Sequence, residues 1–209
     1  MDEFQLALTP LLRHDGFRKR GRTYNRTTPD GLVQVVSLQM GAFDPPGTLH
    51  IKGLRENLHG LFTVNLGVYV PELAERRGRA ARDWVKDYDC AIRQRLGSLL
   101  SEQVDEWWPI SSSPDLVREV WRALSEVGIP FLDSFGSRDG ILRMWDGVSE
   151  NLSGGEPPRI VLAVIQLERG NREEARRLLA AQARESDVAA HTEYVHRFAA
   201  TLGLAPLPE

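Results

Sequence analysis

A strong turn sequence, Pro29-Asp30-Gly31, separates two stretches whose residues alternate as they do in β-strands. Proline presets one backbone dihedral angle of a turn, and glycine accepts the positive φ that other residues avoid. The flanking stretches, 17–27 and 32–40, therefore predict a β-hairpin. If its loop consists of residues 28–31, Thr23 is expected to lie opposite Val36.

The first strand of this hairpin is unusually basic. Successive side chains of a strand point to opposite faces, so one face is predicted to carry Arg18, Arg20, Arg22, Tyr24 and Arg26. The opposite face, together with Val36, Leu38 and Met40, is the predicted core side. Gly21, within the basic stretch, is typical of a bulge or a close packing contact. A one-residue slip would exchange the faces of the second strand but keep the basic set together.

The remaining pattern predicts an α+β fold, with an N-terminal helix, an antiparallel sheet of about four strands and further helices. The first helix is expected at 2–14 and a third strand at 61–70. Residues 90–100 fit either a fourth strand or a short helix, and both interpretations remain open. As a strand next to the hairpin, this segment would let Arg93 and Arg95 extend the basic face.

A segment rich in Gly, Ser and Pro, at 147–158, predicts a linker. It would divide the chain into an α+β domain, 1–146, and a helical tail, 159–209. The tail predicts a helical hairpin that resembles a single tetratricopeptide unit, followed by a last helix. Because such repeats need about three units to be stable alone, the tail is expected to pack on the first domain.

Four separate segments, in this order along the chain, resemble one known family. They are FRKRGRTYNR at 17–26, DGLVQVVSLQ at 30–39, CAIRQRLG at 90–97 and DEWWP at 105–109. They are similar to the bacterial family called domain of unknown function 4304, and the resemblance covers about residues 1–145. It implies a compact α+β domain of bacterial origin and no catalytic residue.

The composition narrows the kinds of partner that the protein is expected to bind and the cellular compartment in which it is expected to occur. The net charge is −3, no stretch is apolar enough to span a membrane, and the first residues do not form a signal peptide. Cys90 is the single cysteine, which excludes an intramolecular disulfide and agrees with a cytoplasmic location. Arginine outnumbers lysine 23 to 3, so an arginine cluster can reflect composition alone.

Residue types that could carry chemistry are present without a recognisable motif. Cys90 could act as a nucleophile with His14, His50 or His59, but nothing in the local sequence activates the thiol. His191 and His196 are five residues apart on a predicted helix, which does not suit a zinc pair. The acidic cluster Glu102, Asp105 and Glu106 has no partner that would perturb it. We therefore expect no catalytic residue, no cofactor and no metal site.

Three function hypotheses follow. The first is a non-enzymatic module that binds a protein or peptide through the arginine-rich face or the helical tail, by analogy with small immunity or adaptor proteins. The second is a nucleic-acid or phosphate-ligand binder that uses Arg18, Arg20, Arg22, Tyr24 and Arg26, extended by Arg93 and Arg95. The third is an enzyme whose site is formed by residues far apart in sequence. A solvated sheet face, whose arginine stems cover apolar neighbours, explains the same pattern without any ligand.

Overall fold

A computed structural model of the protein describes residues 1–41, 58–80, 82–100, 106–145 and 155–208. The described strands are β1 (Arg18–Arg20), β2 (Thr23–Thr27), β3 (Val33–Met40), β4 (Leu61–Tyr69), β5 (Ile92–Arg95) and β6 (Trp108–Pro109). The helices are α1 (Asp2–His14), α2 (Pro71–Arg76), α3 (Leu96–Leu100), α4 (Pro114–Ala123), α5 (Ile129–Ser134), α6 (Arg138–Met144), α7 (Pro158–Glu168), α8 (Arg172–Arg184) and α9 (Ala189–Thr201). This architecture confirms the α+β fold with its N-terminal helix and antiparallel sheet.

The described strands form one antiparallel sheet in the order β1-β2-β3-β4-β5, with β6 paired to β4. The sheet has six described strands rather than the expected four, because the stretch 17–27 divides into β1 and β2 and because the short β6, which was not predicted, pairs with β4. The segment 90–100 contains both of its proposed structures, since β5 leads directly into α3.

The predicted register of the hairpin is wrong by one residue. Tyr24, rather than Thr23, pairs with Val36, because the loop takes in Leu32 as well. The Thr28 amide donates to the Leu32 carbonyl at 2.9 Å, so Thr28, rather than the predicted Thr27, lies opposite Leu32, and Thr27 pairs with Val33.

One face of the sheet packs against α1 and the helices that follow β6. The core-facing residues include Tyr24, Val36 and Phe62, all fully buried. The ring of Phe62 lies 4.9 Å from that of Phe4 in α1, measured between centroids. Burial of such apolar side chains is the main stabilising contribution to this layer.

The other face of the sheet is partly covered by the segment 82–90. The side-chain amide of Asn25 donates to the Val85 carbonyl and accepts from the Val85 amide, both at 3.0 Å. Val85 and Cys90 join Val35 and Tyr69 in a second, small apolar cluster. A single asparagine therefore fixes the backbone of the covering segment to the sheet.

The helix predicted from Ser113 onward begins where the sequence indicates. Ser113 is the N-cap of α4, and its hydroxyl accepts from the Leu116 amide at 3.2 Å. The helix continues into a turn of π-helix, Leu124–Gly128, before α5. Gly128 lies close to Leu66 of the sheet, so the absence of a side chain there permits close approach.

The C-terminal helices pack on the first part of the chain mainly through α7. Helix α7 lies against α2 and α6, α8 packs on α7, and α9 packs on α8. The buried residues of α7 belong to the same apolar cluster as those of the sheet. Arg76 of α2 pairs with Glu168 at 2.6 Å and adds a polar contact to this seam. The division into two domains itself stays a prediction. Within the described residues, no helix is long and apolar enough to cross a membrane.

Candidate functional site

The structure separates the basic residues that the sequence placed on one face. Residues 21 and 22 form a two-residue turn between β1 and β2, because Arg20 pairs with Thr23. Gly21 has φ +64° and an open Cβ position, so it serves a tight turn rather than a bulge or a packing contact. The chain therefore reverses direction within the predicted strand, and the prediction of one continuous basic face is wrong.

Tyr24 and Arg26 lie on the core side of β2. Tyr24 is fully buried, its hydroxyl lies 3.1 Å from that of Thr9, and burial raises its pKa above the ordinary value. Arg26 donates from Nε to Gln34 at 2.7 Å and pairs with Asp133. Its guanidinium lies 4.7 Å from the centroid of the Phe17 ring. Both side chains are therefore parts of the scaffold.

The other three arginines of the first strand stay exposed. Arg18 and Arg20 lie on β1, an edge strand of the sheet among the described residues, and Arg22 lies in the turn. Arg18 also lines a cavity of about 400 Å³ with Asn25 and Trp84. Charged side chains on an edge strand discourage pairing with another chain, so this exposure has a structural explanation as well as a functional one.

Arg93 and Arg95 share the sheet face of Arg18 and Arg20 but lie at its opposite edge. Across the strands, Arg20 aligns with Thr23 and Arg95 aligns with Asn65, two strands further on. With strands about 4.8 Å apart, four intervals separate the two edges by about 19 Å. The β5 arginines therefore do not extend the β1 surface, and they line a separate cavity of about 320 Å³.

Cys90 is a buried thiol beside the carbonyl of Lys86, which lies 3.4 Å from its sulfur. Burial, and then the charges of Asp87 and Asp89, raise the pKa of this thiol well above its ordinary value. A raised pKa reduces the thiolate fraction and hence the reactivity. His50, Glu102 and Asp105 lie outside the described residues. Within the described ranges, no cluster of three or more His, Cys, Asp or Glu side chains is placed to hold a metal ion.

A wide, solvent-open cleft lies between the end of α2 and helix α9, with a volume of about 910 Å³. We call it the α2–α9 cleft. It is lined by four arginines, one glutamate and an apolar floor: Arg76, Arg77, Gly78, Arg79, Glu156, Pro157, His191, Tyr194, Arg197, Phe198 and Thr201. Its volume lies in the range of ligand-binding clefts, which are about 300–1,000 Å³.

Aromatic rings of α9 form the floor of the α2–α9 cleft. The rings of Tyr194 and Phe198 are stacked, with centroids 6.0 Å apart and an interplanar angle of 9°. His191 lies 6.0 Å from Tyr194 on the same side of the helix. These residues follow one another at three- and four-residue spacing, which brings them onto one helical face.

Arg77 lies between this floor and Glu156. Its guanidinium binds both carboxylate oxygens of Glu156 and also donates to the Tyr194 hydroxyl at 2.6 Å. It lies 5.8 Å from the centroids of both the Tyr194 and the Phe198 rings. Burial lowers the pKa of Arg77, but the hydrogen bonds and charges of Glu156 and Tyr194 together outweigh this effect and raise it above the ordinary value.

The other arginines of the cleft are more accessible. Arg79 is exposed and makes no ion pair with a described residue. Arg197 pairs with Glu193 one helical turn away, and both side chains are about two-thirds exposed. Exposed pairs of this kind contribute little to stability, so their arginines remain available to an anionic partner.

Comparison with known protein families matches the first part of the chain to one of them. The model of one family, domain of unknown function 4304 (DUF4304), matches residues 8–51 and 53–134, together more than half of the chain. The chain belongs to this family. No curated protein and no solved structure matches the chain.

The α2–α9 cleft joins the DUF4304 part to the helices beyond it. Arg76 to Arg79 lie within the matched residues, whereas Tyr194 and Phe198 lie outside them. Sequence reasoning missed this site because Arg77 and Tyr194 are 117 residues apart. The available signal was the spacing of His191, Tyr194 and Phe198, which does not by itself distinguish a cleft from a buried helix face.

Proposed function

We propose that the protein is a non-enzymatic binding module and that the α2–α9 cleft binds an acidic segment of a partner protein. The observation that carries this proposal is the combination of the exposed Arg79 and Arg197 with the partly exposed Tyr194 ring, which stacks on the buried Phe198 ring. Guanidinium groups bind carboxylates, and aromatic rings offer a large apolar contact area at a low cost in conformational entropy.

The expected partner segment has acidic residues beside an apolar or aromatic side chain. Its carboxylates would contact Arg79 and Arg197, and the apolar side chain would lie on the Tyr194 ring. The cleft is open to solvent and accepts an extended chain. A role as an immunity or adaptor factor in a bacterium is consistent with such a module, and an adjacent toxin gene would support that role.

Binding is tested with a labelled dodecapeptide in which glutamates flank a Trp-Leu pair, measured by fluorescence anisotropy. The wild-type protein is expected to bind saturably. The double variant Arg79→Glu plus Arg197→Glu is expected to lose affinity by about tenfold or more, because two attractive contacts become repulsive.

The matched control is Arg118→Glu plus Arg122→Glu on the exposed side of α4. It changes the net charge by the same amount and leaves the cleft intact, so its affinity is expected to stay within about threefold of wild type. An equal loss in both double variants, or no saturable binding by the wild type, would overturn the proposal.

A second candidate, nucleic-acid binding, is favoured by the exposed basic hairpin of Arg18, Lys19, Arg20 and Arg22. These four side chains make no ion pair with a described residue. Binding to single-stranded DNA or RNA through them would weaken steeply as salt concentration rises. If the double variant Arg20→Glu plus Arg22→Glu bound both nucleic acids as wild type does, or if wild type bound neither, this candidate would be rejected.

A further inference from the structure

The Arg77 site is already built to hold a carboxylate. Two of its nitrogens bind the two oxygens of Glu156, with Nη2 to Oε2 at 2.8 Å, and the Tyr194 hydroxyl supports Nη2 from the side. The side chain of Arg77 is 17% exposed, whereas Arg79 and Arg197 are open to solvent. Leaving a largely shielded guanidinium without an anion is costly, so a carboxylate beside Arg77 is strongly favoured.

Glu156 supplies that carboxylate, and the backbone of Glu156 is held in place by contacts other than the ion pair with Arg77. The backbone amide of Glu156 donates to the Ala91 carbonyl at 2.8 Å, and α7 begins two residues later. Its side chain is 27% exposed and lies at the edge of the cleft. The carboxylate can therefore rotate into water while the backbone stays in place.

Resting on the proposed function, we infer that Glu156 is an exchangeable internal ligand, and that a carboxylate of the acidic partner replaces it on Arg77. The exchange substitutes one ion pair for another of the same geometry, so it contributes little net affinity. What it contributes is selectivity, because a neutral segment that displaced Glu156 would leave Arg77 buried without a counter-ion.

The internal carboxylate also sets the affinity. A tethered group competes at an effective concentration in the millimolar range or higher, so wild-type binding is weakened by the fraction of time that Glu156 occupies Arg77. The apolar contact with Tyr194 and the outer arginines must then supply the net affinity of the partner.

The direction in which one substitution changes the affinity for the peptide tests this inference. With the glutamate-flanked Trp-Leu dodecapeptide, Glu156→Gln is expected to raise the affinity by about tenfold, because the charged competitor is removed and Arg77 is released. The matched control is Glu193→Gln, which removes a negative charge beside the cleft and frees Arg197 from an exposed pair but leaves the Arg77 pair intact. Its affinity is expected to rise by no more than about threefold.

Several outcomes would overturn the inference while leaving the proposed function standing. The first is that the wild-type protein binds the peptide and the Glu156→Gln variant binds it with equal or lower affinity. A Glu193→Gln variant that gains as much affinity as Glu156→Gln would also overturn it, because the effect would then be general electrostatics. Failure of the wild type to bind at all removes the proposed function itself.

A measurement on the wild type covers the case in which Glu156→Gln does not fold. Carbon-13 NMR of the glutamate carboxylates follows Glu156 during titration with the same peptide. The Glu156 signal is expected to move toward that of an exposed glutamate such as Glu173, while Arg77 keeps its side-chain nitrogen signals protected. A Glu156 signal that stays in place at saturation would overturn the inference.

Discussion

Arg138 holds the carboxylate of Glu72 in a bidentate pair, with Nε to Oε1 and Nη2 to Oε2 distances of 2.8 Å. The same guanidinium contacts Asp30 in the loop between β2 and β3. The Glu72 side chain is 8% exposed. One side chain therefore ties α6 to the start of α2 and to the loop between β2 and β3.

Removal of this guanidinium is expected to destabilise the protein strongly. The change Arg138→Met keeps the apolar stem but leaves Glu72 buried without a counter-ion, so we expect a loss of about 2–3 kcal/mol in the free energy of unfolding. Urea denaturation measures this loss. Arg118→Met is the control, since Arg118 and Asp115 form a pair with side chains 70% and 87% exposed, and it should cost less than about 0.5 kcal/mol. Equal losses of unfolding free energy in the two variants would show that the Arg138–Glu72 pair stabilises the protein no more than an exposed pair does.

Asn25 is expected to be the residue that keeps segment 82–90 on the sheet. Asn25→Ala removes both hydrogen bonds to the Val85 backbone, so the buried amide and carbonyl lose their partners, at a cost of about 2 kcal/mol. Hydrogen exchange of the Val85 amide should become faster than exchange in β3. Asn171→Ala, at an exposed position, should change stability by less than about 0.5 kcal/mol. If hydrogen exchange of the Val85 amide were as slow in Asn25→Ala as in wild type, the assigned role of Asn25 would be contradicted.

Arg26 and Arg20, which the sequence places in one binding set, are expected to behave differently. Arg26→Ala removes bonds to Gln34, Asp133 and the Asp15 carbonyl and the contact with the Phe17 ring, at a cost of about 2 kcal/mol.

Arg20→Ala, on the exposed edge strand, should stay within about 0.5 kcal/mol of wild type. Thermal unfolding of both variants checks the contrast. A comparable loss at Arg20 would mean that the edge strand depends on its basic side chains for stability.

Cys90 is expected to make stability fall in alkaline solution. In the folded protein the pKa of the thiol lies well above its ordinary value of 9.0 because the group is buried. Above pH 9 the unfolded chain therefore loses a proton that the folded chain keeps, and stability falls by up to about 1.4 kcal/mol per pH unit until the folded pKa is reached. Well below pH 9 the thiol is neutral in both states and contributes no pH dependence.

The comparison of wild type with Cys90→Ala isolates this contribution. The variant is expected to lose less stability than wild type between pH 9 and pH 10, as measured by urea denaturation at each pH. Its absolute stability is lower at neutral pH because of the lost volume, but only the slope matters. Parallel slopes would contradict the assignment of the effect to the thiol.

Local sequence signals predicted the elements that depend on neighbouring residues. The Pro29-Asp30-Gly31 turn lies between β2 and β3, Ser113 caps α4, and the alternation at 61–70 corresponds to β4. In each case a dihedral angle, a capping hydrogen bond or a two-residue period is set by residues close in sequence.

Contacts between distant residues decided which side chains share a face. The sequence pattern of 17–27 fits one continuous strand, but the turn at Gly21 makes two, and Tyr24 then enters the core against Thr9. The pairing of β3 with β4 and the cover formed by residues 82–90 bury both faces of β3, which an alternating pattern does not reveal.

Short-range periodicity and turn chemistry in the sequence predicted the fold class and most helix and strand positions, and the resemblance of four segments pointed to the family. Tertiary structure alone determined the candidate site. The α2–α9 cleft exists because α7 packs on α2 and thereby carries α9 beside Arg77. No local pattern encodes that approach, since it depends on how two apolar surfaces far apart in sequence bury each other.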